Sequence, residues 1–587
     1  MKRRHVGVSK LFLAGEVLGC LLLVAQVNVA RAQTEAVSAV IGLPDDWTHR
    51  HVLFPDSLFP DVGEAVQRDP RYWLHQARRK GEAPVSPAWF REIPLRGDRS
   101  KKKKTTTKVD WSVSLGKPIA AGMYPAKFTF NVNAAPSCSD DYVVFALNGA
   151  GSSSQANVVG LTNLYTNPGG TGFCLGTGPT VQWAYNVGSG PMRTSPVLSL
   201  DGTKVAFVEH KNPPVFHVLT PDLSGNAGCP GATPCNGTDA THPAVPGTHN
   251  SAVDVRISYG ATGDSSSPPW VDYVNDVAYV GADDGKLYKI TGVFLGTPTL
   301  AGAPWPLTVS TAGKVLTGPV LDSVTDRIFI GDSRGVLRFV RLSASDQCTG
   351  AITPPCVDST TISTGTGGHE LNHAPIVDST RGRVFVFQRD NGQGDFTVTQ
   401  ADTTLGSVVI ANISSNQSAP AWIGAFDHGY RTGGPGSGHL YACGTTAAGS
   451  NPALYQLSFN MDTTMNPVPS GGPTQIGFTG GKGCSPLTAF FNPNVTDVLH
   501  PTGTDFLFVS VQGGCTASDN NGCIKSFDIT NAFPIGVLVS PVDEVGGTSG
   551  IIVDNVSTVS QGSSIYFSTQ ATPTGASAVK LTQSGLQ

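Results

Sequence analysis

Two stretches of the chain spell motifs that perform chemistry when the backbone around them is right. His369-Glu370-Leu371-Asn372-His373 reads H-E-x-x-H. On a helix, that spacing sets two imidazoles one turn apart to hold zinc, with the glutamate beside them as general base. Gly331-Asp332-Ser333-Arg334-Gly335 reads G-x-S-x-G, which at a sharp strand-to-helix turn lifts a nucleophilic serine over an oxyanion hole. Neither motif has its setting. Gly365, Gly367 and Gly368 precede the first and Pro375 follows it, which predicts a loop feeding a strand. The second runs into the strand-like Val336-Leu337-Arg338-Phe339-Val340, and a sister segment has Gly281-Ala282-Asp283-Asp284-Gly285 at the same place. Its serine therefore belongs to a hairpin turn. Asp283-Asp284 and Asp519-Asn520-Asn521-Gly522 lack the alternating oxygens of a calcium loop and read as turn chemistry. No catalytic residue and no metal ligand is assigned.

The sulfur chemistry is more definite. The chain has 11 cysteines and no C-x-x-C pair, which excludes a zinc knuckle and a haem attachment signal. Cys20 lies in an export signal: Lys2, Arg3 and Arg4, then an apolar run from Leu11 to Val29, then Ala30-Arg31-Ala32 as the cleavage site. A lipoprotein signal ending at Cys20 is the rival, but Leu21–Val24 carry the apolar run past the cysteine. Removal of residues 1–32 leaves ten cysteines, an even set for an oxidising compartment. Cys229/Cys235, Cys348/Cys356 and Cys515/Cys523 lie close in sequence within turn-rich stretches. By elimination Cys138/Cys174 and Cys443/Cys484 make up the rest. Five N-x-S/T sequons (from Asn236, Asn412, Asn416, Asn494 and Asn555) follow from a Ser/Thr-rich composition.

The elements that must position any site are short strands. Gly and Pro together make up about 19 % of the 587 residues and charged residues only 14 %, a composition that excludes a coiled coil, a long-helix bundle and an acidic disordered tail. Residues 33–108 carry 14 Lys/Arg against 10 Asp/Glu, and residues 109–587 carry 20 against 32. A basic arm thus precedes an acidic body. The arm is expected to hold one or two short helices between Asp61 and Lys80, then a Pro-marked linker. Lys101–Lys104 is a solvated run without interleaved aromatics, so no nucleic-acid partner is expected.

Beyond Lys108 one phrase recurs: a small or polar pair, a proline, apolar residues, often an aspartate, then a turn and a second strand. It reads Thr194-Ser195-Pro196-Val197-Leu198, Ser267-Pro268-Pro269-Trp270-Val271-Asp272, Thr317-Gly318-Pro319-Val320-Leu321-Asp322 and His373-Ala374-Pro375-Ile376-Val377-Asp378. Looser copies centre on Pro125, Pro420, Pro486 and Gly550. A third strand is visible in Asp284–Ile290 and Arg334–Val340, and a fourth near Trp111, Trp183 and Trp305, each 13 or 14 residues before a repeat proline. Four antiparallel strands repeated eight times specify an all-β, eight-bladed β-propeller, with seven blades as the alternative. The last unit stops after its third strand, so Asp110–Leu115 is expected to supply the fourth and close the ring against Ser577–Thr582.

The phrase from Ser267 to Ile290 resembles the blades of pyrroloquinoline-quinone-type propellers, a superfamily of quinone dehydrogenases and cofactor-free scaffold proteins. The whole chain also resembles a family of secreted bacterial propeller proteins. The dehydrogenase branch implies tryptophan docking motifs and a metal-bound quinone. Those motifs have no residue-by-residue match here, and no cofactor is assigned. The expected domains are a signal peptide (1–32), the arm and linker (33–108) and the propeller (109–587). The expected protein is a secreted or periplasmic monomer without a membrane span after signal removal. Its function would be non-catalytic binding of a glycan or an envelope or extracellular protein. A quinone-dependent dehydrogenase or a hydrolase/lyase at the channel mouth is the alternative. In propellers the loop leading into each innermost strand lies near the channel, which selects Arg193, His369, Glu370, His373 and Lys482 as channel-mouth candidates.

Overall fold

The computed structural model describes residues 107–583 apart from short interruptions at 129–135, 200, 230–233, 274, 364–369, 391–393, 415–419, 447–449, 481, 493–502, 517, 519–520, 532, 534–537, 545, 555–560, 563 and 571–574. The export signal, the expected arm helices and His369 lie outside the described residues. The described chain folds into eight antiparallel sheets, seven of four strands and one whose outer strand is split in two. They are the blades of an eight-bladed β-propeller, and the seven-blade alternative falls. The innermost strands of blades 1 to 8 are Ala126–Phe128, Val197–Leu198, Trp270–Asp272, Val320–Asp322, Ile376–Asp378, Ala425–Phe426, Thr488–Asn492 and Ile552–Asp554.

Burial explains why these segments become these strands. The second strands, such as Tyr142–Ala146, Val205–Glu209 and Val277–Ala282, are buried at every position, because each blade is covered on both faces by its neighbours. They read as unbroken apolar runs, as strands buried on two sides do. The outer strand Val253–Ser258 is covered far less, with residues such as Val253 and Ser258 exposed. The repeat's serine or threonine also has a fixed task. Thr194, Ser267, Thr317, Ser485 and Ser549 each accept at the side-chain oxygen from a second-strand N–H of the same blade, at 2.9–3.1 Å. In four of these five the proline one or two residues on has no N–H of its own to satisfy. At the other end of the inner strand the repeat's aspartate caps the turn: Asp272, Asp322 and Asp378 accept from the backbone N–H of Asn275, Val324 and Arg381.

Three local features depart from the sequence reading. Asp427 accepts from Tyr430 N and starts a single helical turn, His428–Thr432, where no helix was expected. Trp305 sits between the two halves of the outer strand of blade 3 (Thr299–Leu300 and Leu307–Thr308) rather than within a strand. Pro304 and Pro306 flank it and cannot donate to the ladder. In the sixth repeat the inner strand starts five residues after Pro420, at Ala425.

The ring closes with the first strand. Thr107–Gly116 pairs antiparallel with Ala576–Gln583, placing Thr107 opposite Gln583, Trp111 opposite Lys580 and Ser114 opposite Ser577. This removes an open edge. Two fully buried ion pairs flank the seam: Lys580 Nζ to Asp110 Oδ2 at 2.6 Å, and Lys127 Nζ to Asp554 Oδ2 at 3.0 Å. Thr582 also donates to Asp110, Trp111 Nε1 donates to Leu164 O at 2.9 Å, and Tyr165 donates to Asp141 at 2.6 Å.

All ten propeller cysteines are joined as expected: Cys138–Cys174, Cys229–Cys235, Cys348–Cys356, Cys443–Cys484 and Cys515–Cys523. Four lie within one blade and its loops, whereas Cys443–Cys484 ties blade 6 to the connection into blade 7. Among the described residues no helix is long and apolar enough to cross a membrane.

Candidate functional site

Each propeller face is built from a different set of loops. The upper face carries the connections into the inner strands and the hairpins between second and third strands. The lower face carries the other turns, the buried ion pairs of the seam and the Thr107/Gln583 end of the closing ladder.

On the upper face the axis is obstructed. Gly122, in the connection into blade 1, has φ +80°, and a Cβ there would lie 2.5 Å from Trp422 Cζ3 and 2.7 Å from His373 Nε2. Trp422 precedes the inner strand of blade 6, and His373 that of blade 5. Their rings meet edge to face, centroids 5.0 Å apart. Blades 1 and 5 are opposite in an eight-membered ring, so this contact spans the channel. Only glycine permits both the left-handed backbone and so close an approach.

Away from the axis, a chain of polar side chains crosses blades 1 to 3. Asn148 Oδ1 accepts from Arg193 Nε at 3.2 Å. Arg193 Nη1 stands 2.8 Å from His210 Nε2, and the same nitrogen is 2.7 Å from Asp264 Oδ2. His210 Nδ1 is 3.0 Å from the carbonyl of Ser265 and therefore carries a hydrogen. Nε2 then accepts from Arg193 in the neutral ring and donates to Asp264 in the protonated one. Asp283, next in the cluster, is pushed up to about 8, first by burial and then by the Asp264 carboxyl beside it. Hairpin turns hold Asn148, His210 and Asp283, while inner-strand connections hold Arg193 and Asp264. The stiffness of these positions comes from the strands beneath.

The channel-mouth candidates are distributed over this face. Arg193 is exposed and belongs to the polar chain. Glu370 is half-buried, with Arg389 Nη1 3.8 Å from its carboxylate. His373 is buried against Trp422, and Lys482 is exposed in the connection into blade 7. Beside Lys482 lies a small cleft lined by Trp422, Phe396, Ser414, Thr445 and the Cys443–Cys484 bridge. The segment from Glu370 to His373 is extended, with Leu371 bridged to Gln388, so the zinc-protease spacing has no helix to act through. Ser333 occupies a hairpin turn in which Asp332 Oδ1 accepts from Arg334 N at 2.9 Å and Ser333 Oγ accepts from Val315 N at 3.2 Å. Among the described residues, no group of three or more His, Cys, Asp or Glu is arranged to hold a metal ion.

Sequence reasoning missed His210, Asn148, Asp264 and Trp422. A signal existed for the first: His210-Lys211 occupies the hairpin position that Asp283-Asp284 and Ser333-Arg334 occupy in later blades, and that hairpin shares a face with the inner-strand connections.

No family model and no curated protein matches the chain. Solved structures similar to it include BamB from Moraxella catarrhalis (11 % identity, 81 % of this chain and 97 % of that one covered, TM-score 0.36). Another is Sqt1 from Chaetomium thermophilum (10 % identity, 82 % and 98 % covered, TM-score 0.45). A third is the dihydro-heme d1 dehydrogenase NirN (10 % identity, 79 % and 78 % covered, TM-score 0.38). At such identities the likeness concerns fold and not chemistry. The chain is an eight-bladed, disulfide-bonded β-propeller closed by its own first strand.

Proposed function

We propose that this protein is exported and acts outside the cytoplasm by binding, as a monomeric platform for a glycan or for an envelope or extracellular protein. The obstructed axis carries this reading. With Gly122, Trp422 and His373 in contact across the channel, the functional groups of the upper face lie on a surface of hairpins and inner-strand connections. Such a surface suits recognition of an extended partner. Five disulfides suit an oxidising compartment, and the export signal at residues 1–32 would deliver the chain there. The arm at 33–108 is then a spacer ahead of a propeller at 109–587. Arg193, Glu370 and Lys482 are the upper-face groups that would meet a ligand, His369 stays a candidate by its place in the sequence, and His373 supports Trp422. The repeat's relationship is to the cofactor-free members of the pyrroloquinoline-quinone-type superfamily.

The test is a glycan array and an envelope-fraction pull-down with the exported protein, run beside a panel of dehydrogenase, hydrolase and lyase substrates. Retention of a defined partner is expected, with no turnover and no chromophore bound after incubation with quinone and calcium. Turnover of any substrate with no retained partner overturns the reading.

A further inference from the structure

Resting on that reading, we propose that Arg193, with Lys117, His210 and Lys211 around it, forms a subsite for the carboxylate groups of an acidic polysaccharide. The first argument is charge. Residues 109–587 carry 20 Lys/Arg against 32 Asp/Glu, so a cluster of cations on this body is a local departure. The cluster is contiguous: the Lys117 side chain lies against Gly149, where an added Cβ would be 2.4 Å from Lys117 Cγ. Gly149 adjoins Asn148, Asn148 holds Arg193, Arg193 meets His210, and Lys211 follows. Lys117, Arg193 and Lys211 are exposed.

The second argument is what Arg193 lacks. Arg256, Arg327, Arg334, Arg338 and Arg341 each have a carboxylate within 3.6 Å. Among the described residues Arg193 has none. It is oriented by the amide oxygen of Asn148 and by the imidazole of His210, while Glu209 nearby accepts from Gly190 N at 2.6 Å and Asp264 faces His210. Asn148 and His210 occupy Nε and Nη1, which leaves the other terminal nitrogen to meet a planar anion.

The third argument separates a saccharide from a protein. Around the cluster the loops read Asn148-Gly149-Ala150-Gly151-Ser152-Ser153-Ser154-Gln155 and Gly188-Ser189-Gly190. None of the large exposed apolar side chains of the described residues falls within 117–155, 186–193, 209–214 or 259–285. A protein interface draws its energy from a central apolar or aromatic anchor, and this patch has none to offer.

The experiment is calorimetric titration of the exported protein with oligogalacturonate, with neutral dextran and with polyglutamate. Oligogalacturonate binding is expected, weakened by raised salt. Arg193→Ala should weaken it at least about 10-fold, and Arg193→Lys, which keeps the charge but not the fork, by an intermediate factor. Lys211→Ala should weaken it less. Unchanged melting temperatures of these exposed variants exclude misfolding as the cause. The subsite is overturned if oligogalacturonate binds Arg193→Ala as well as wild type, if polyglutamate binds as tightly, or if oligogalacturonate does not bind while the array or pull-down retains another partner. In that last case the binding function stands without this subsite. Failure of every partner overturns both.

Discussion

Replacing Asp110 by alanine tests whether the buried ion pairs hold the ring shut. Asp110 and Lys580 are both wholly buried, 2.6 Å apart, and on neighbouring strands of the closing ladder. Burial pulls the Lys580 ammonium below its ordinary pKa, and the Asp110 carboxylate opposes that shift. Without Asp110 the ammonium remains in the interior with the field of Asp554 in its favour and that of Lys127 against it. Thr582 loses its acceptor as well. Breaking one side of a buried pair costs about 3–5 kcal/mol, because the surviving charge is uncompensated. A ring of this length has an unfolding entropy of about 1 kcal/mol/K, so Asp110→Ala should melt about 3–5 °C lower in a cooperative transition. Replacing both partners, Asp110→Leu with Lys580→Met, should recover most of the loss, since no charge is then stranded. Differential scanning calorimetry reads both variants, and limited proteolysis shows whether cleavage near residues 107–116 accelerates. A melting temperature for Asp110→Ala within about 1 °C of wild type, or a double variant no better than the single, refutes the reasoning.

Gly122→Val should destabilise the protein by at least about 1–3 kcal/mol, because a branched side chain at φ +80° meets Trp422 and His373; thermal melts and the near-ultraviolet dichroism of Trp422 report it. Asp505 is wholly buried, which raises its carboxyl from the ordinary value to about 7, with the Asp427 and Asp528 carboxylates adding to the rise and His428 N–H opposing it. Between pH 4 and 7, roughly, the folded state therefore holds a proton that the unfolded state has lost, and stability falls as pH rises through that window. Asp505→Asn should accordingly gain more melting temperature over wild type at pH 8 than at pH 5, and a gain independent of pH contradicts this account. Thiol titration of the denatured, unreduced exported chain should find essentially no free thiol. Opening the Cys443–Cys484 bridge with paired serines should cost about 3–4 kcal/mol by loop entropy, read by denaturant melts.

Much of this architecture was legible because its signals are local. A proline ahead of the inner strand, a hydroxyl just before it and an aspartate at the following turn recur in several blades, and each has a backbone duty within a few residues. The closing strand was legible for the same reason: Trp111 stands before Pro125 as Trp183 stands before Pro196, which marks Asp110–Leu115 as a fourth strand. The single turn at His428–Thr432 depends on one cap and lies outside the repeat, so periodicity was silent about it. The obstruction of the axis was hidden for a stronger reason. Gly122 and Trp422 are 300 positions apart in the chain, and only ring geometry makes them neighbours. The upper-face cluster was half visible: Arg193 follows from its place before an inner strand, whereas Asn148, His210 and Asp264 reach it from three blades.

The closing ladder also decides how the molecule responds to force. Thr107 and Gln583 leave the lower face side by side, while Gly116, at the far end of the same strand about 30 Å away, leads directly into Lys117 on the upper face. A pull applied between the two ends would peel the ladder one residue pair at a time, with each hydrogen bond taking the strain alone. A pull between Thr107 and the upper face runs along Thr107–Gly116 instead. The whole register must then slip together, with Asp110 and Trp111 moving against Lys580 and Leu164 at once. The ladder thus yields readily to a load that parts Thr107 from Gln583 and resists one carried along Thr107–Gly116.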